Sequence, residues 1–232
     1  MRYAERPAHH QSGVYREMGE QEIRVFLADD HVMVREGLAA LLAREPGIEV
    51  VGQCGDGLDV VEQVLKHEPD VVILDIMMPG LNGLDVCREL SRRLETASVL
   101  ILTMYDDEQF IARALDYGAN GYLLKEAATG QLAAAVRSVA ARKLFLGPGI
   151  PRGILERISR GSSDAYEQLT TRERQVLQLI AEGNTNPQIA SQLNLAVKTV
   201  DTHRSNLMRK LAFHNKTDLV KFAIRRGIVS AR

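Results

Sequence analysis

Apolar residues in the first two thirds of the chain follow two alternating periods. Short, nearly continuous apolar runs occur at Ile23-Arg24-Val25-Phe26-Leu27-Ala28, Ile48 to Cys54, Val71-Val72-Ile73-Leu74, Val99 to Leu102 and Tyr122-Leu123-Leu124. Between them, apolar residues recur at helical spacing: Val34, Leu38, Leu41 and Leu42, then Val60, Val61, Val64 and Leu65. Further helices are predicted over Leu81 to Leu94, Phe110 to Tyr117 and Ala128 to Ala141. Short runs that do not alternate suit strands buried on both faces. Five strand-helix alternations therefore predict a doubly wound five-stranded parallel sheet covered by helices, over residues 22–143.

The pattern changes after residue 143. Residues 144–166 contain Gly147-Pro148-Gly149-Ile150-Pro151 and Gly161-Ser162-Ser163 and read as a linker, with a helical turn across Ile154 to Ile158. Residues 167–232 carry helical signals throughout. Thr170-Thr171-Arg172-Glu173 is a capping box that opens a helix through Val176, Leu177 and Ile180, closed by Gly183. Asn186-Pro187 reads as a cap followed by proline at the first helical position. The turn Asn194-Leu195-Ala196 leads into a longer helix over Val197 to Leu211, and a last helix covers Lys216 to Arg226. A short helix, a tight turn and a longer basic helix predict an all-α four-helix domain with a helix-turn-helix.

Charge supports the division. The net of −1 conceals 18 Lys+Arg against 25 Asp+Glu in residues 1–164, and 11 against 5 in residues 165–232. An acidic first part joined to a basic second part points to a polyanionic partner for the latter. Docking of the two parts would cover the helix at 197–211. Cys54 and Cys87 lack metal or redox spacing and read as reduced structural thiols. Residues 1–21 read as a mobile polar tail, with Met18 as an alternative start; it lacks an apolar signal region, and no membrane-length apolar run follows, so a cytoplasmic protein is expected.

Four of the strands end in polar groups: Asp29-Asp30, Asp75, Thr103 and Lys125. In an open parallel sheet these ends share the edge where ligands bind. Taken singly, each has an ordinary reading: an aspartate capping the helix near Val32, a turn-forming Asp75, a solvated lysine. Taken together, three crowded carboxylates need a cation, and hard oxygen ligands suit Mg²⁺. Asp75 is then the candidate nucleophile towards a phosphoryl group, with Lys125 and Thr103 placed to contact its oxygens.

In this order, the acidic pair, the central aspartate with Met-Pro-Gly beyond it, the threonine and the lysine resemble the receiver domain of two-component response regulators. The resemblance implies a flavodoxin-like sheet and makes Asp75 the phospho-acceptor. It implies Mg²⁺ on Asp30 and Asp75, helped by the Met77 carbonyl and partly by Asp29, and a switch aromatic at Tyr122 that turns inward on phosphorylation. Met77 stands where aspartate-nucleophile phosphatases carry a second aspartate, which argues against an enzyme that turns over.

In the second part, Leu169-Thr170-x-Arg172-Glu173-x-x-Val176-Leu177, Gly183-x-Thr185-Asn186-x-x-Ile189-Ala190 and Val197-Lys198-Thr199-Val200-x-x-His203 resemble the LuxR-type DNA-binding domain. The whole resembles a NarL/FixJ-type regulator. Such a protein takes phosphate from a sensor histidine kinase, forms a homodimer and binds double-stranded DNA. At 100° per residue Val200, Leu207 and Leu211 form the core stripe, and Lys198, Asp201, Thr202, Ser205 and Arg209 lie opposite. With Thr199, and His203 at the boundary, these are the candidate DNA-contacting residues. Asp201 suits a cytosine amino group and Thr202 a thymine methyl. Ala212 stands after this helix where the family often has glycine.

Overall fold

A computed structural model describes residues 22–94, 96–151 and 165–230. The tail at 1–21 and the helical turn expected over 154–158 lie outside them. The five expected strands are present: β1 (Ile23–Ala28), β2 (Ile48–Cys54), β3 (Val71–Leu74), β4 (Ser98–Thr103) and β5 (Gly121–Leu124). A sixth, β6 (Phe145–Leu146), corrects the expected count. It pairs Phe145 with Gly121 and Leu146 with Tyr122, within a segment read from sequence as linker. All pairs are parallel, in the order β2-β1-β3-β4-β5-β6.

Alternation along the strands supplies two cores. Phe26, Val72, Leu74, Val99, Ile101 and Tyr122 face α2 (Gly57–His67), α3 (Gly83–Arg93) and α4 (Glu108–Asp116). Val25, Leu27, Ile73, Leu100, Leu102 and Leu123 face α1 (Val32–Leu42) and α5 (Ala128–Ala140). Both cysteines are free; burial pushes the Cys87 thiol up to about 12, as expected of a packed structural thiol.

The second domain holds α6 (Thr171–Ala181), α7 (Asn186–Gln192), α8 (Val197–Lys210) and α9 (Lys216–Arg225) around its own core, which includes Val176, Leu177, Ile180, Ile189, Val200, Leu207 and Leu219. The Thr170–Glu173 capping box is formed. At α7 the cap is Thr185, whose main-chain N–H bonds Gln188 at 2.8 Å, rather than Asn186. Proline is accommodated in the first turn either way, because its missing N–H has no helical acceptor there.

Ala212 takes the left-handed conformation, φ 54°, that ends a helix and that glycine adopts without strain. The helix end is kept: Phe213 N–H reaches the Met208 carbonyl at 3.0 Å. Keeping it places a Cβ where left-handed backbone disfavours one. Ala212→Gly is therefore expected to stabilise the second domain by about 1 kcal/mol, less the added freedom of the unfolded chain. Urea unfolding of the two proteins checks this; equal midpoints would show that the strain is relieved elsewhere.

Candidate functional site

Sheet register assembles the acidic edge. Ala28 pairs with Leu74, Leu74 with Ile101, and Thr103 with Leu124, so Asp29 and Asp75 leave the sheet side by side, with Thr103 and Lys125 one and two residues further along the same edge. The ladder continues one step further, with the Asp75 N–H on the Ala28 carbonyl at 2.8 Å. Asp29 and Asp75 are buried, at 3% and 4% exposure, which would leave two repelling charges without a counter-ion. Lys125 supplies it: Nζ lies 2.7 Å from Asp29 Oδ2 and 2.7 Å from Asp75 Oδ2.

Burial pushes the Asp75 carboxyl above its ordinary value, and Lys125 opposes the shift. For Lys125, burial works against the charge but the two carboxylates prevail and raise its pKa. Thr103 is fully buried; among the described residues its Oγ1 has no hydrogen-bond partner, though it lies near enough to favour the Asp75 charge. Asp30 is half-exposed, with Oδ1 2.6 Å from His31 Nδ1. His31, rather than either aspartate, is the N-cap residue of α1, while Asp29 Oδ1 accepts its N–H at 2.9 Å. Ligand atoms of Asp29, Asp30, His31 and Asp75 all lie within 4.8 Å of one another. Three oxygen donors at that density fit a hard divalent cation.

Met77 is half-buried on the loop beyond Asp75 and lines, with Asp30, a cleft of about 630 Å³. Tyr122 is fully buried, its hydroxyl donating to the Tyr105 carbonyl at 2.7 Å. The ring is thus inward in this structure.

On α8, Val200 and Leu207 are fully buried, whereas Lys198, Asp201, Thr202, Ser205 and Arg209 are exposed. Thr199, His203 and Arg204 are half-buried. Thr202 and Ser205 hydroxyls return to the Lys198 and Asp201 carbonyls at 3.0 and 2.9 Å. Asp201 accepts from Asn186 at 2.5 Å and so ties α8 to α7.

The two domains dock, but not over α8. The docking surface is α6 with its approach and the end of α9, set against α3, α4 and the β3–α3 loop. Asp85, buried on α3, holds Arg174 and the Tyr166 hydroxyl. The Arg174 guanidinium lies 4.2 Å from the Tyr166 ring centre, and Arg226 stacks on that ring at 4.4 Å. Arg88 pairs with Glu167 at 3.1 Å, and Arg113 donates to the Arg226 carbonyl at 2.9 Å. The expectation that docking covers the helix at 197–211 is therefore corrected. Charges of both signs pair across this contact, so its complementarity is local.

Residues 25–137 match the response regulator receiver domain, and residues 167–223 the bacterial regulatory proteins of the luxR family. The chain belongs to the two-component response regulators that join a receiver to a LuxR-type DNA-binding domain, the transcription regulators of NarL/FixJ type. It is 36% identical to the transcriptional regulatory protein LiaR of Bacillus subtilis, over 90% of this chain and 100% of that one. It is 34% identical to the oxygen regulatory protein NreC of Staphylococcus carnosus, over 89% and 99%. Among solved structures, the RcsB response regulator of Salmonella typhimurium is similar with a TM-score of 0.52 at 27% identity, covering 87% of this chain and 98% of that chain.

Removing Lys125 leaves two buried carboxylates facing each other. Lys125→Met should lower the receiver's stability by about 3 kcal/mol without divalent metal, and added Mg²⁺ should restore part of it. Thermal unfolding with and without Mg²⁺ tests this. A variant as stable as the parent would mean that the Asp29–Lys125–Asp75 contact is not what holds the edge together.

Proposed function

We propose that Asp75 accepts a phosphoryl group from the phosphohistidine of a sensor kinase, and that the modified protein binds DNA as a homodimer. The observation that carries this reading is Lys125 Nζ at 2.7 Å from both Asp75 and Asp29, beside the buried Thr103 hydroxyl. An Asp75 carboxylate oxygen attacks phosphorus as the phosphorus–nitrogen bond breaks, and the imidazole leaves. Lys125 then neutralises one phosphoryl oxygen, and the Thr103 hydroxyl donates to another. Mg²⁺ held by Asp29, Asp30 and Asp75, with the Met77 carbonyl, would supply further neutralisation of the transferred group. Family membership supports the kinase as donor and DNA as partner. Among the described residues no helix is long and apolar enough to cross a membrane.

The exposed face of α8 supports Lys198 and Arg209 as phosphate contacts, and Asp201, Thr202 and Ser205 as base readers. Thr199 and His203 take the margin. One chain presents one such helix, so an operator with two half-sites calls for two copies.

Acid-labile phosphate after incubation with acetyl phosphate and Mg²⁺ tests the first half. Asp75→Asn keeps the volume, loses the nucleophilic charge and should abolish incorporation while leaving the unfolding midpoint close to the parent's. Equal incorporation in the variant would sink the assignment. For the second half, Lys198→Ala should weaken binding to every DNA sequence and flatten its salt dependence. Thr202→Ala should change preference at one base step, by about 1–3 kcal/mol. Binding titrations over a salt series decide; a uniform loss in both variants would dissolve the division into positioning and reading residues.

A further inference from the structure

The first helix of the DNA-binding domain grips the loop that leaves Asp75. The Gln178 amide engages it twice: Nε2 donates to the Met78 carbonyl at 2.8 Å, and Oε1 accepts from Asn82 N–H at 2.7 Å. One turn further on, Glu182 Oε1 accepts from Gly80 N–H at 3.0 Å. Gln178 is 1% exposed, so its amide has been taken out of water to make these bonds. These three partners are main-chain groups, and the Asn82 side-chain amide adds a longer contact to Gln178 Oε1 at 3.4 Å. What the helix reads is therefore mainly the path of the backbone through residues 78–82.

That path starts from a residue bound to Asp75 and closes back on the same residue. Asp75 Oδ1 accepts the Ile76 N–H at 2.7 Å, and Gly83 N–H closes the loop on the Ile76 carbonyl at 2.8 Å. The closure is tight enough that a Cβ at Gly83 would stand 1.8 Å from the Asp75 carbonyl oxygen, and Gly80 turns the chain with φ 74°. Phosphorylation converts the Asp75 carboxylate into an acyl phosphate and so changes the acceptor that fixes Ile76. A loop this constrained passes a shift at Ile76 on to Met78, Gly80 and Asn82. Tyr122 is buried and bonded to Tyr105, and takes part in none of these bonds.

We propose that Gln178 is the residue through which the DNA-binding domain senses the state of Asp75, by way of the backbone of residues 78–82. The proposal rests on Asp75 being the phospho-acceptor. Its amide fits the loop beside an unmodified Asp75, so docking favours that form and phosphorylation loosens α6 from the receiver. Because coupling is reciprocal, the docked helix also resists the phosphorylated form. Gln178 is a positioning residue: it touches neither the phosphoryl group nor the donor.

The test uses the full chain with Mg²⁺ and beryllofluoride, a stable mimic of the aspartyl phosphoryl group, titrated by calorimetry. Gln178→Leu keeps most of the volume and removes both bonds. It should bind beryllofluoride about fivefold more tightly or better, the lower range of measured couplings. Hydrogen exchange gives a second readout: the Gly80 and Asn82 amides of the parent should exchange faster once beryllofluoride is bound, whereas in Gln178→Leu they should be fast from the start. Arg174→Ala, which breaks the Asp85 contact without touching the loop, separates reading from mere docking. If Arg174→Ala tightens beryllofluoride binding and Gln178→Leu does not, docking matters but Gln178 is not its reader, and the proposal falls. Parental affinity and parental exchange in Gln178→Leu overturn it equally. If the parent neither binds beryllofluoride nor takes phosphate from acetyl phosphate, the assignment of Asp75 fails and takes this proposal with it.

Discussion

Two carboxylates and one ammonium at the ends of three strands set the terms for the rest of the receiver. Asp29 and Asp75 are almost wholly withdrawn from water, which makes each carboxylate costly to keep charged. The Lys125 ammonium, equidistant from both, offsets that cost only while β1, β3 and β5 keep their register. The apolar strands achieve this by packing in parallel with Ala28 against Leu74 and Thr103 against Leu124. The two cores on either side of the sheet thus have a chemical purpose beyond stability. They hold a triad of charges at distances that no loop would keep.

The contact between domains follows a different logic. It is built from polar and charged groups that are buried only because a second surface covers them. Asp85 and Arg174 are each 2% exposed and pair directly, and Tyr166 packs against both, its ring on the guanidinium and its hydroxyl on the carboxylate. Burial pushes the Asp85 carboxyl up against its hydrogen bonds from Tyr166 and Asn82, whereas burial and the Asp85 carboxylate together push the Tyr166 hydroxyl up. Such contacts are demanding in geometry and contribute little net free energy, because desolvation opposes most of the attraction. An interface of this kind orients two domains well without welding them together. It also leaves the face of α8 that carries Lys198, Asp201, Thr202, Ser205 and Arg209 exposed.

The sheet and the acidic edge were legible in the amino-acid sequence because the physics that makes them is local. An apolar run such as Val71–Leu74 has few alternatives to a buried strand, and a polar residue directly after it must sit at the sheet edge. β6 escaped notice because Phe145–Leu146 is too short to show a period and is followed at once by Gly147-Pro148. Thr185 and Asn186 are both good caps, and only the backbone shows which of the two adjacent residues fills the role. Arg174 and Gln178 carry no such local signal, for a deeper reason. The stripe of Val176, Leu177 and Ile180 already accounts for a helix buried on one side, so the polar residues between them read as solvated. They are buried by another domain, and nothing within the helix's own sequence announces a second neighbour. Asp85, at 2% exposure on α3, is hidden from sequence reasoning in the same way.

The short strand β6 has a consequence for the balance between docked and free domains. By pairing with β5 it fastens the chain to the sheet as far as Leu146, with Gly147 N–H still bonded to Tyr122. The connection to the second domain is shortened by that much. Two domains joined by a short flexible linker meet at an effective concentration on the order of millimolar. An interface that would be too weak to detect between separate molecules, with a Kd of about 1 mM, then suffices to keep about half of the chains closed. Poised at that level, the equilibrium responds to small changes: a tenfold weakening of the contact would leave roughly one chain in eleven docked.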